Sequence, residues 1–409
     1  MHIAIIGAGA AGCFAAIELK RRWPECQVTL MERGCKALAK VSITGGGRCN
    51  LTNSFAQVNS MATVYPRGER LMKRLLNVFG QNDTMTWFEN EGVRLVVQED
   101  ECVFPRSQDA SEIVRTLLYR IKGLGIHLLT NCRVTNIHPK TDNTYTIDTA
   151  HGQTVQADCV LIATGGSPNI KGLDFLNELS LETISPVPSL YSLQLNEKEL
   201  SALMGTTVNK VSVGLTGTKL KATGTLLITH WGVSGPAILR LSSYGARILN
   251  AASYQHTLRI NWLGETNELE AAEMLHNMMT QTPQKLAGST RPKELNTRLW
   301  QYLLKRSGWG SETRWRDVGK KQINRLVSTL TNDTYTITNR CPFKDEFVTC
   351  GGVALNNINP KTLECKQYPG LYFAGEVLDV DAITGGFNLQ AAWTMGYVVA
   401  QAIEQKYNS

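Results

Sequence analysis

The stretch MHIAIIGAGAAG, residues 1–12, decides the fold. Residues 3–6, IAII, make a short apolar run of β type. Gly7, Gly9 and Gly12 follow at GxGxxG spacing with Ala11 inside the motif, and CFAAIELKRR then repeats apolar residues at helical spacing. The pattern is strand, tight turn, helix. The first glycine permits the turn, the second admits a pyrophosphate to the backbone, and the third lets helix and strand pack closely. Phosphates then meet a helix N-terminus, whose free N–H groups and dipole favour negative charge. A second strand, QVTLME, ends in Glu32 roughly 20 residues on, the place of an acid that binds both hydroxyls of an adenosine ribose and repels a 2′-phosphate.

The whole chain is consistent with an ordinary folded protein. Its 409 residues allow two or three domains, and 43% hydrophobic with 19% charged residues excludes disordered and fibrous classes. No apolar run reaches the roughly 18–20 residues of a bilayer span. The N-terminus lacks a basic leader and a cleavage site, so a cytoplasmic protein is expected. Ten cysteines lie without CxxC pairs or zinc-like spacing, which suits a reduced compartment and offers no metal site. A net charge of +7 leans toward a polyanionic partner.

Later segments repeat the strand-to-glycine pattern. ADCVLIATGG, residues 157–166, is a buried-strand run leading into Thr164 and Gly165. PGLYFAGEVLDV, residues 369–380, is another, leading into Gly375 and Glu376 with Asp379 just beyond. ITGGFNLQAAWTMGYVVAQAI then sets Gly385, Gly386, Phe387, Asn388 and Leu389 at the start of a long amphipathic helix. This order resembles the two-dinucleotide-fold flavoproteins. The resemblance implies FAD, an acid on the last strand's loop at the ribityl chain, and a final helix aimed at the flavin pyrimidine. There its dipole stabilises the charge of reduced flavin. With no second GxGxxG unit and no CxxC or CxxxxC pair, a nicotinamide donor, NADH or NADPH, is expected to visit the flavin pocket transiently.

Between these parts the pattern changes. LYSLQL, VNKVSVGL, GTKLKA, GTLLITH and HTLRINWL alternate with period two, and ELEAAEMLHNMMTQ, ELNTRLWQYLLKR and KKQINRLVSTL follow with helical period. The fold class is therefore α/β: a Rossmann-like FAD-binding domain with an inserted β-sheet or barrel plus a helical domain. The expected boundaries are 1–185 for the first part of the FAD domain, 186–265 for the β insert, 266–339 for a basic helical insert and 340–409 for the second part. Lys285, Arg291, Lys293, Arg298, Lys305, Arg306, Arg314, Arg316, Lys320, Lys321 and Arg325, interleaved with Trp300, Trp309 and Trp315, suit an RNA backbone and stacked bases. The competing reading places Trp300 in a helical core and the charges on a solvated face.

Residues 40–53, KVSITGGGRCNLTN, carry the densest chemistry. With VFPRSQDASEIV, LLITHWGVSGPAIL, CGGVALNNINPKTLECK and LYFAGEVLDVDAITGGFNLQAAW they resemble the BaiN/RdsA-type FAD flavoproteins, whose hallmark is SGGGRCNxTN. The resemblance covers essentially the whole chain; Thr44 replaces the hallmark serine. It implies, variously, ribosomal RNA dihydrouridine synthesis, reduction of bile-acid enones, and oxidation of small amines such as aminoacetone. Cofactor-side candidates on these motifs are Arg33, Lys40, Gly45, Gly46, Gly47, Arg48, Asn50, Thr52, Asn53 and Val134, beside those named above.

Uracil and a conjugated enone share a double bond polarised by a carbonyl, so the protein must orient a plane, polarise the carbonyl and donate a proton. Cys49 and His230 are the candidate proton donors, and Arg48 the candidate to hold a phosphate or the flavin carbonyl region. Arg106 is a weaker phosphate candidate. Three classes follow: a uridine reductase acting on ribosomal RNA, a small-molecule oxidoreductase, and an RNA-binding flavoprotein without turnover. Oligomeric state is left open.

Overall fold

The computed structural model describes residues 1–167, 169–310, 312–341 and 348–408. The chain forms two compact units, one of residues 1–188 with 348–409 and one of residues 189–347.

In the first unit, a five-stranded sheet runs in the order Leu371–Phe373, Cys159–Ile162, His2–Ile6, Gln27–Met31, His127–Leu129. All neighbours are parallel, and Phe373, Ile162, Ile6, Met31 and Leu129 stand in one row across it. Burial on both faces explains why these strands read as unbroken apolar runs rather than alternating ones. The first helix, Ala10–Arg22, packs on the last, Phe387–Tyr407. Small residues set that approach: a Cβ at Gly396 would lie 2.8 Å from the Ala11 carbonyl oxygen. Phe14 anchors the contact among Phe79, Trp87, Phe88 and Trp393. Two small antiparallel sheets, of 52–53, 95–97 and 102–105 and of 134–139, 145–149 and 154–157, and a two-stranded sheet of 183–189 with 348–353 complete the strands.

The second unit is a closed six-stranded barrel, with order Leu193–Leu195, Gly232–Ser234, Lys221–Thr229, Thr207–Leu215, His256–Asn261, Asp333–Arg340. Closure comes from Leu193 opposite Arg340 and Leu195 opposite Ile337. The structure differs here from the sequence reading, which left 333–339 in the helical part. The helices Glu268–Gln281, Thr297–Arg306 and Lys320–Thr331 are a loop of the barrel, and they share its core: Leu258, Ile260 and Trp262 cluster with Leu299, Trp300, Leu303 and Leu326. A buried polar knot fastens them. Asp333 accepts from Trp262 Nε1 at 3.0 Å, Tyr335 OH at 2.5 Å and Arg306 Nε at 2.8 Å. Trp300, Trp309 and Trp315 are all buried, which withdraws them as a surface for stacking bases. No helix among the described residues is long and apolar enough to cross a membrane.

Candidate active site

Ile6, Met31, Ile162 and Phe373 end their strands side by side, so residues 7–9, 32–34, 163–166 and 374–376 leave the sheet along one edge. In open α/β sheets that edge is the ligand crevice.

Each fingerprint glycine has its own reason. Gly7 turns at φ +107°, and a Cβ there would lie 2.4 Å from the Ala163 carbonyl oxygen. A Cβ at Gly12 would lie 2.0 Å from the Gly7 carbonyl oxygen, so the helix fits against the strand only without one. Gly9 caps the first helix, and nothing lies within 4 Å of its Cβ position. That open flank beside the unbonded N–H groups of a first turn is a cradle that a phosphate can enter and a side chain would fill. Buried Ala11 lets Gly375 come close, a Cβ at Gly375 lying 3.2 Å from that of Ala11.

Backbone donors aim Glu32. Its carboxylate accepts from Ala8 N–H at 3.1 Å and Gly34 N–H at 2.7 Å. Its carbonyl accepts from Cys132 N–H at 2.8 Å, which brings the strand Val134–Pro139 alongside, with Val134 buried. Arg33 and Thr164 are exposed. Lys40 lies 3.5 Å from the Glu376 carboxylate, whose other oxygen accepts from Thr349 N–H at 2.6 Å.

The triple glycine is a built turn. Gly45, Gly46 and Gly47 stand at φ +59°, +68° and +82°, conformations L side chains rarely adopt. Gly45 approaches Asn50 N and Phe104, while the Cβ positions of Gly46 and Gly47 face open space. Arg48 is exposed, its guanidinium 4.5 Å from the Phe104 ring centroid and its Nε donating to Gly45 C=O at 3.1 Å. Cys49 corrects an expectation. At φ +61° its side chain turns inward and is fully buried, and burial pushes the thiol up to about 12 despite a hydrogen bond to Thr44. A group with no accessible surface and a proton held that tightly is not placed to donate to substrate.

The final turn is clamped from two sides. A Cβ at Gly386 would lie 2.2 Å from the Thr52 carbonyl oxygen, Asn53 Nδ2 donates to Gly385 C=O at 3.1 Å, and Thr52 Oγ1 donates to Gln390 Oε1 at 2.5 Å. Asn50, with its amide turned to satisfy both neighbours, accepts from Gly386 N–H at 3.1 Å and donates to Thr52 C=O at 3.0 Å. Buried Thr52, Asn53 and Phe387 thus hold the turn rather than face the crevice. Asn388 closes the loop onto Ala382 N–H at 2.9 Å, and Leu389 is half-buried. From the other side Tyr65 OH donates to Phe387 C=O at 2.9 Å, and Arg67 forms a two-pronged ion pair with fully buried Asp381. Asp379, the acid singled out from sequence, is buried, with its N–H donating to Val353 C=O. Arg67 and Asp381 carried no local signal, since their meeting depends on segments 314 residues apart.

His230 lies in the other unit, exposed at the turn between Lys221–Thr229 and Gly232–Ser234, its ring 4.2 Å from that of Trp231. Arg106 is exposed, and its N–H donates to Arg94 C=O.

Residues 1–402 match the family model described as the HI0933-like protein Rossmann domain. The chain belongs to this family. The HI0933-like chain is an FAD-dependent oxidoreductase, and the open Gly9 flank and the oriented Glu32 fit an adenine dinucleotide. It is 30% identical, over 97% of its length and 96% of the relative's, to a protein of Escherichia coli K12 named ribosomal RNA dihydrouridine synthase. It is 28% identical, over 99% of both chains, to one of Clostridium scindens named 3-dehydro-bile acid delta(4,6)-reductase. Among solved structures, a 3-ketosteroid-delta4-(5alpha)-dehydrogenase from Rhodococcus jostii RHA1 is similar, with TM-score 0.50, 13% identity and 98% and 96% coverage. That likeness concerns the fold.

Proposed function

We propose that this chain reduces a carbon–carbon double bond conjugated to a carbonyl, and that its substrate is a uridine of large-subunit ribosomal RNA. Uridine, NADH or NADPH, and a proton give dihydrouridine and the oxidised nicotinamide, in the cytoplasm. The near-full-length match to the Escherichia coli ribosomal RNA dihydrouridine synthase carries this reading. Bound FAD supplies the hydride chemistry at the far carbon of the double bond, and a proton completes the near one.

The chain's own residues do the rest. The Cβ-free flank of Gly46 and Gly47 offers a flat backbone surface, and Arg48 stands beside it as an exposed cation. The clamped turn at Gly385 and Gly386 presents the first-turn N–H groups of the last helix, which favour negative charge. Of the two candidate proton donors, buried Cys49 is withdrawn and exposed His230 is kept as the candidate. In folded RNA the target base must also be unstacked before it can be reduced.

Nucleoside mass spectrometry of ribosomal RNA from a deletion strain tests the reading. Dihydrouridine should vanish, return with the wild-type gene and with Cys49→Ala, and fail to return with His230→Ala. An unchanged nucleoside profile refutes the substrate. The match to a bile-acid reductase supports a second reading, in which the chain reduces a free cyclic enone. Rapid turnover of such an enone, indifferent to RNA, would favour it.

A further inference from the structure

Lys285 and Lys293 aside, the cations of the helical insert between 285 and 325 fall into two groups. Six are engaged within the fold. Arg291 donates to Leu295 C=O, Arg298 to Ala202 C=O and Arg314 to Gln284 C=O. Lys305 pairs with Glu199, Arg306 with Asp333, and Arg316 with Asp317. Their charge is committed to packing or to neutralising an acid.

Lys320, Lys321 and Arg325 make no such bond among the described residues, and with Asn324 and Ser328 they line one shallow groove. All five are exposed on the helix Lys320–Thr331, and no acid lines the groove. The opposite face of the same helix, Leu326, Val327 and Leu330, is buried in the core of the unit, so the groove sits on a rigid support. From Lys320 to Ser328 it runs about 12 Å along the helix at 1.5 Å per residue, enough for two or three consecutive phosphates. The nearby tryptophans are buried, so nothing aromatic is offered to bases. Cations and short polar side chains without a stacking partner recognise a phosphate backbone and not a sequence.

We propose that this groove holds the phosphate backbone of the RNA substrate. The inference rests on the uridine reading above and assigns its docking surface. The contact is sequence-independent and acts through counterion release, so its signature is a salt dependence.

The test compares the full-length, FAD-loaded wild type with a Lys320→Gln/Lys321→Gln/Arg325→Gln variant, using a fluorescent large-subunit RNA fragment titrated across salt concentrations. The slope of log affinity against log salt should fall by about 2 to 3, and affinity near physiological salt should drop about ten-fold or more. FAD content and melting temperature should not move. A charge-matched Lys198→Gln/Lys219→Gln/Lys361→Gln variant, altered at three other exposed lysines, should keep the wild-type slope. If the groove variant keeps the slope, or the matched variant loses as much, the groove is not the docking surface. Dihydrouridine formation by the wild type then leaves the substrate reading standing. A wild type that neither binds the RNA nor alters its nucleosides overturns both.

Discussion

Gly9 and Gly12 lie three residues apart in one motif, and the structure predicts opposite consequences for the same added methyl group. At Gly9 the backbone is extended, at φ −87° and ψ −165°, which any residue adopts, and the Cβ position is open. Gly9→Ala should leave the apoprotein within about 1 kcal/mol of wild type, a weaker cap offsetting the lower entropy of the unfolded chain. The methyl does occupy the flank where a phosphate would meet the backbone. Losing one hydrogen bond to a charged group is worth about 1.5–3 kcal/mol, or about ten- to a hundredfold in FAD affinity. At Gly12 the methyl would lie 2.0 Å from a backbone oxygen and 3.3 Å from Ile5 Cγ2. Neither neighbour is a flexible tip, so the first helix must move off its strand. Overpacking of this kind costs about 1–3 kcal/mol where side chains can adjust, and at least about 3 kcal/mol is expected here. Urea unfolding of the FAD-stripped variants, and FAD titration followed by flavin fluorescence, read the two effects apart. A Gly9→Ala apoprotein that unfolds early or binds FAD normally refutes the cradle. A Gly12→Ala apoprotein as stable as wild type refutes the packing account.

Four further outcomes are expected. Arg67→Ala leaves the Asp381 carboxylate buried without its guanidinium partner, so urea unfolding should show a loss of about 3–5 kcal/mol. Adding Asp381→Asn should restore part of it, and strict additivity would show that the two residues are not coupled. Cys35 is exposed while the other nine cysteines are buried, so a water-soluble thiol reagent at pH 8 should modify one site before unfolding. Cys49 ionises only near 12 when folded, against about 8.5 when unfolded, so its stabilisation is full below the lower value and is lost as pH rises toward the upper one. Cys49→Ala should therefore flatten the alkaline fall in stability, and an unchanged profile counts against the burial argument. His138 is raised by its hydrogen bond to Asp148 and then by Glu178, so it stabilises the fold below about pH 6.5 and loses that effect as pH climbs through its folded value. His138→Gln should lower the melting temperature more at pH 6 than at pH 9, and an equal loss at both would refute the assignment.

What was legible in the sequence follows the range of the interactions. GxGxxG, Glu32 and the apolar runs at 159–162 and 371–373 are local patterns, and each sits where its spacing implied, at the edge of one parallel sheet. The strand 333–340 was missed as the barrel's closing member because its alternation, DTYTITNR, follows directly on the helix Lys320–Thr331 and names no partner. Closure depends on pairing with Leu193–Leu195, about which no local window carries information. The tryptophans show the same limit from the other side, with Trp300 in the core that one of the two readings gave it. In sequence they alternate with cations like a stacking surface, but helical period turns Trp300 inward and turns the charges out.

The turn at 44–50 shows why residue identity alone misplaced the chemistry. Three glycines in the left-handed region are followed, after Arg48, by Cys49 in the same region, where a residue with a Cβ carries strain of order 1 kcal/mol or more. Such strain persists only if the surroundings over-determine it, and here they do. Cys49 N–H donates to Thr44 C=O at 2.9 Å, its side chain is sealed in the interior, and Leu51 C=O accepts from Trp393 Nε1 at 3.0 Å. The cysteine is thus the peg that fixes the turn. Because Cys49 points inward, Arg48 points out and the glycine backbone stays bare. The same peg leads the chain into Thr52 and Asn53, which grip Gly385 and Gly386 at the start of the last helix. A reactive side chain was the obvious choice in the sequence, but what the turn exposes is glycine backbone and Arg48, with the thiol turned away from both.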